Sequence, residues 1–104
     1  MTNKSLLYKI KKIVRGIEPE ATIILYGSYA RKDFNIHSDI DILILLNKEI
    51  ISISDEKKVK YPLYDLEFDT GKIISPLVYS KSNWETVNKH TPFYENIKNE
   101  GIIL

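Results

Sequence analysis

The chain has 104 residues, 43% of them hydrophobic, and is expected to form a single domain over residues 1–104. Its 15 Lys plus Arg offset 14 Asp plus Glu to a formal charge of +1, which leaves no broad basic field for a duplex and argues against nucleic acid as a partner. It contains no cysteine, which excludes a disulfide framework, a thiolate zinc site and a cysteine nucleophile, and suits a reducing, cytoplasmic setting.

From Ser5 to Ile17 the apolar residues Leu6, Leu7, Ile10, Ile13, Val14 and Ile17 recur at steps of three and four, which predicts an amphipathic helix with Lys4, Lys11, Lys12 and Arg15 on its wet side. Lysines break up the apolar residues of this N-terminal stretch, and no later apolar run approaches the ~20 residues of a membrane span, so neither targeting nor a membrane partner is expected. Ala21 to Tyr26 is short, apolar and β-rich, a buried strand that Gly27 ends. A polar segment, Ser28 to Ser38, opens with a helical turn at Tyr29, Ala30 and Arg31 and leads to the second strand, DIDILILLN. Strand alternation puts Asp39, Asp41 and Leu43 on one face and Ile40, Ile42 and Ile44 on the other.

Ser54, Asp55 and Glu56 mark a helix start, with Val59, Leu63 and Leu66 at helical spacing, but Pro62 interrupts the pattern. Tyr64, Leu66 and Phe68 alternating with Asp65, Glu67 and Asp69 would suit a strand instead, and Thr70-Gly71 would end a helix or turn a hairpin. A helix from Ser54 to Asp69 is preferred, followed by a third strand at Ile73 to Tyr79. Ser82 with Glu85 forms a capping pattern, Thr91 before Pro92 an N-cap, and Gly101 a stop, giving two short C-terminal helices. The order suggests an α/β (α+β) chain, a small mixed sheet flanked by helices.

Chemistry concentrates at Tyr26-Gly27-Ser28 and Asp39-Ile40-Asp41. A glycine after a strand allows a sharp turn and lets backbone N–H groups approach a phosphate. Ser28 adds a hydroxyl donor, and Arg31, one helical turn on, offers a fixed fork of donors for phosphate oxygens. Two carboxylates at i and i+2 of a strand lie ~6.5 to 7 Å apart at Cα, close enough to share a divalent cation. Alone, a Gly-Ser at a strand end is usually a turn, and a lone D-x-D is usually a solvated edge. His37 is expected to be a solvated loop residue, Ser38 a loop cap, and Trp84, Phe93 and Tyr94 core or interface aromatics.

Ten residues separate Ser28 from Asp39, and G-S, ten residues, D-x-D in LYGSYARKDFNIHSDIDILILL resembles the signature of the nucleotidyltransferase superfamily typified by DNA polymerase beta, specifically its minimal bacterial members. The resemblance covers Ala21 to Leu46 and continues loosely to Tyr79. It implies the polymerase beta-like fold, a site with room for two Mg2+ ions on Asp39 and Asp41, and nucleotide phosphates on Gly27, Ser28 and Arg31. Minimal members are often antitoxins encoded beside HEPN-domain toxins, and they transfer AMP from ATP to a toxin tyrosine. Active members commonly supply a third carboxylate from a later strand, where this chain has Ser75; Asp65 or Glu67 would substitute only if YDLEFD were a strand beside Asp41. The competing expectation is a non-catalytic antitoxin or nucleotide-sensing module that acts by binding.

Overall fold

Two apolar patterns of different period build the molecule. In a computed structural model, which describes residues 3–104, the helical period gives α1 (Asn3–Ile17) and α3 (Ile53–Thr70). Strand patterns give β1 (Thr22–Tyr26), β2 (Ile40–Leu46) and β3 (Ile74–Ser80). Short helices α2 (Ser28–Arg31), α4 (Lys81–Thr86) and α5 (Pro92–Glu100), a 3-10 turn at Asn88–His90 and the two-residue strand β4 (Ile102–Ile103) complete the chain.

The sheet runs β3-β2-β1-β4. β1 is antiparallel to both β2 and β4, while β2 and β3 run parallel. A parallel pair needs a long crossover, and α3 supplies it. Leu6, Ile10 and Val14 of α1 and Val59, Leu63 and Leu66 of α3 bury against Ile40, Ile42, Ile44 and Leu46 on one face. The opposite face carries a smaller core of Ile24, Leu43, Leu45, Trp84 and Ile97, with Tyr26, Leu77, Tyr79, Phe93 and Tyr94 packed around it. The predicted split of β2 into two faces is what separates these cores, and the C-terminal aromatics belong to the second one.

The structure corrects several boundaries. α3 is capped by Ser52, not started at Ser54: the Ser52 hydroxyl accepts from Asp55 N and the Asp55 carboxylate accepts from Ser52 N. Lys48 Nζ, 2.9 Å away, and the cap hydrogen bonds pull the Asp55 carboxyl down to about 2. α4 is capped by Ser80, whose hydroxyl accepts from Asn83 N, and the expected Ser82–Glu85 box does not form. Thr91 caps α5 with Pro92 in its first turn, as the sequence indicates. β4 has no counterpart in the sequence reading, since two apolar residues carry no period. Gly101 makes it feasible: a Cβ there would press into Ile97 O and Ile24, so only glycine lets the chain leave α5 and lie beside β1.

Two prolines sit inside regular elements. Pro76 lies in β3, an edge strand, where a missing N–H is tolerated. Pro62 lies inside α3 and deprives the exposed Lys58 carbonyl of its helical donor. The helix persists because Val59, Leu63 and Leu66 are anchored in the core on either side. Pro62→Ala is therefore expected to stabilise the fold by about 1–2 kcal/mol, the helix-interior gain less the lost rigidity of the unfolded chain. Urea unfolding would read this as a higher midpoint at an unchanged slope.

Candidate functional site

Register brings the expected residues together. Tyr26 pairs with Asp41 and Asp41 with Ser75, so these three side chains form a row across β1, β2 and β3 on the face of the aromatic core. Asp39, two residues earlier, shares that side and accepts a 3.3 Å hydrogen bond from Ser75 Oγ. Ser75 thus occupies the place next to the paired carboxylates. Asp65 and Glu67 do not reach it, because YDLEFD is helix and lies on the other face. Glu67 Oε1 instead accepts from Ile74 N at 2.8 Å, and Asp65 is exposed beside Lys9 and Lys12. Among the described residues no cluster of three or more His, Cys, Asp or Glu is arranged for a metal.

Gly27 is the corner. Its φ of 74° and ψ of −155° are glycine geometry, and a Cβ at this position would collide with Asp41 Oδ2. From there the chain enters α2, where Ala30 N and Arg31 N both donate to Gly27 O at 3.1 and 3.0 Å. The N–H groups of Ser28 and Tyr29 precede the first helical hydrogen bonds and have no acceptor within the turn. Tyr29 is buried and stacks on Phe34 with ring centroids 4.3 Å apart, which anchors the turn from below. Lys32, at φ 63°, closes it.

Asp39 is exposed and Asp41 half-buried. Burial pushes the Asp41 carboxyl above the usual carboxylate range, the Asp39 charge adds to that rise, and Arg31 opposes it. Tyr26, between Asp41 and the aromatic core, is pushed up to about 12, chiefly by burial and then by the Asp41 and Tyr79 charges. An ionised Asp41 is therefore costly alone and ready to accept a cationic partner. His37 is exposed in the loop and makes no side-chain contact with the carboxylates; its N–H donates to Asn35 Oδ1, while Ser38 Oγ caps the same loop by accepting from Asn35 N.

Glu100, at the end of α5, was not expected here. Its Oε1 accepts from Gly27 N at 3.4 Å, and both its oxygens accept from Arg31 Nη1 at 3.3 and 3.4 Å. Asp33 Oδ2 takes Arg31 Nε at 3.2 Å. A carboxylate from sequence position 100 thus sits on two of the donors that the motif assigns to phosphates. Sequence spacing gives no sign of it, because the contact depends on α5 returning the chain to the end of β1.

A family model described as a nucleotidyltransferase domain matches residues 7–104. The chain belongs to this nucleotidyltransferase family. Two Methanocaldococcus jannaschii relatives are each named "putative protein adenylyltransferase": MJ0141 is 37% identical over 82 residues, covering 77% of this chain and 74% of its own. MJ0604 is 36% identical over 87 residues, covering 79% and 75%. A crystal structure of a toxin-antitoxin with AMP-PNP superposes with a TM-score of 0.63 at 18% identity, over 98% of this chain and 72% of the matched one. A mutant toxin-antitoxin MntA-HpeT superposes at 0.60 with 20% identity, over 92% and 69%. At such identities the superpositions establish the fold, which this nucleotidyltransferase shares with both. No helix among the described residues is long and apolar enough to cross a membrane.

The close approach of Gly27 to Asp41 makes a sharp prediction. Gly27→Ala combines a strained φ with a displaced carboxylate and is expected to cost about 1–3 kcal/mol, lowering the melting temperature by several degrees. Gly16→Ala, where a Cβ meets nothing within 4 Å, serves as the control and is expected to leave melting unchanged or slightly raised.

Proposed function

We propose that this nucleotidyltransferase transfers AMP from Mg-ATP to a hydroxyl of a partner protein, and that the partner is a HEPN-domain toxin which it serves as antitoxin. The observation that carries the reading is the row Tyr26–Asp41–Ser75 with Asp39 beside it and the Gly27–Ser28 corner against Asp41. The relatives' names support protein as the acceptor class, and the toxin-antitoxin structures support the kind of partner.

Two carboxylates suffice for the metal proposed here, because Mg2+ is commonly held by one or two protein carboxylates and completed by phosphate oxygens and water. Asp39 and Asp41 would hold it, and Ser75 would add only a neutral hydroxyl. Bound there, Mg2+ supplies charge neutralisation for the triphosphate and for the pyrophosphate that leaves.

The chain's own residues do the rest by position and charge. The N–H groups at the start of α2 and the Ser28 hydroxyl would donate to the phosphates, and Arg31 would add its guanidinium. The acceptor hydroxyl attacks the α-phosphorus, a new O–P bond forms, the bond to pyrophosphate breaks, and the hydroxyl proton leaves to water. No covalent enzyme intermediate is needed. Incubation with ATP, Mg2+ and the product of the neighbouring open reading frame should add AMP to that protein by intact mass. Asp39→Asn and Asp41→Asn should each slow this at least about a hundredfold. Absence of transfer by folded wild-type protein would overturn the reading.

Ser75 is the observation that favours a second reading, a module that neutralises its partner by binding alone. Retained neutralisation in both carboxylate variants would select it.

Glu100 gives an independent check on the phosphate donors. A triphosphate that takes Gly27 N–H and Arg31 must displace the Glu100 carboxylate from both. Glu100→Gln removes that competing charge and is expected to tighten Mg-ATP binding about two- to tenfold by calorimetry; unchanged or weaker binding would place the phosphates elsewhere.

A further inference from the structure

The face of α3 turned away from the core carries more apolar surface than a solvated helix needs. Ile53, Tyr61, Tyr64 and Phe68 are 72%, 55%, 41% and 89% exposed, and they follow one another at steps of eight, three and four residues. Lys57 and Lys58 lie on this face before Tyr61, and Asp65 and Asp69 after it. None of the four has an ion-pair partner among the described residues, although Lys60 on the same helix pairs with Glu56. On the N-terminal half, Ile53, Ser54, Lys57, Lys58, Tyr61 and Pro62 line an open, largely apolar groove of about 650 Å3.

The order of Ser54, Lys57, Asp65 and Phe68 is self-complementary about Tyr61. Two copies of α3 packed antiparallel and crossing at Tyr61 bring Lys57 opposite Asp65, and by symmetry Asp65 opposite Lys57. The same operation sets Phe68 opposite Ser54, each ~10.5 Å from Tyr61 along its own helix axis. Phe68, the most exposed of these apolar side chains, then enters the groove around Ser54 of the other copy. We propose that α3 is a homodimer interface, with Phe68 of each copy seated in the Ile53–Tyr61 groove of the other and two Lys57–Asp65 pairs fixing the antiparallel register.

This is an isologous contact, the commonest form of self-association. A single helix pair buries less than the ~800 Å2 per partner of a standard interface, so the dimer is weak, with a dissociation constant on the order of 10–100 μM. Lys9 and Lys12 of α1 line a neighbouring groove together with Asp65 and Asp69. α3 lies on the sheet face opposite Asp39 and Asp41, so both sites stay open in the dimer. The inference does not depend on the function proposed above.

Sedimentation equilibrium over about 5 to 500 μM should show monomer and dimer in exchange. Phe68→Ser should weaken the dimer about tenfold, and Lys57→Asp and Asp65→Lys, which each create two like-charge contacts, about five- to tenfold. Mixing the two charge variants should restore association, because each heterodimer regains two opposite-charge pairs. Melting temperatures of these exposed variants should stay within a few degrees of wild type, which separates lost association from lost folding. A wild-type chain that remains monomeric throughout, or a dimer indifferent to Phe68, overturns the proposal. So does a mixture no tighter than its components. A monomer whose Phe68→Ser variant loses a different partner protein likewise overturns it and assigns the face to that partner.

Discussion

The Asp41 carboxylate and the backbone of residue 27 occupy neighbouring space that only a missing side chain makes available. Gly27 bends the chain out of β1 at a positive φ, lets Asp41 lie against the bend, and leads directly into α2. The acidic pair and the glycine turn are thereby held side by side. Burial and then the Asp39 charge raise the Asp41 carboxyl while Arg31 lowers it, so a positive charge nearby favours its ionised form.

The sheet gives its two faces different work. One is covered by α1 and α3 and is apolar from Ile40 to Leu46, which anchors β2 rigidly. The other is apolar only at its far end, under Trp84 and Ile97, and turns polar at Asp41, Asp39 and Ser75. A rigid strand that is oil on one side and acid on the other makes a precise platform, because displacing Asp41 would require moving Ile40 and Ile42 in a packed core.

The amphipathic period of α1, the alternation of β2, the glycine after β1 and the Thr91-Pro92 start of α5 were all legible, since each is written in neighbouring residues. Asp39, Asp41, Gly27, Ser28 and Arg31 stand out as a group by their spacing; strand pairing sets Asp41 level with Tyr26, and Gly27 leads from there into α2 with Ser28 and Arg31. α3 was ambiguous because Pro62 contradicts the local pattern while distant burial of Val59 and Leu63 decides it. The resemblance puts Ser75 where a third carboxylate would fall, but its hydrogen bond to Asp39 depends on the pairing of β2 with β3, and that Asp65 and Glu67 lie on the far face follows only once helix prevails over strand. Glu100 and β4 were invisible, because their partners are Gly27, Arg31, Ile24 and Leu25, more than sixty residues away, and no periodicity records a contact of that range.

Pro76 closes off one kind of partnership. As part of the outer strand, β3 would otherwise offer a further chain an uninterrupted ladder of donors and acceptors. The imino ring leaves a gap in it, so a docking strand cannot complete its hydrogen bonds along this edge. Recognition along this edge is consequently a matter of side chains rather than of shared backbone.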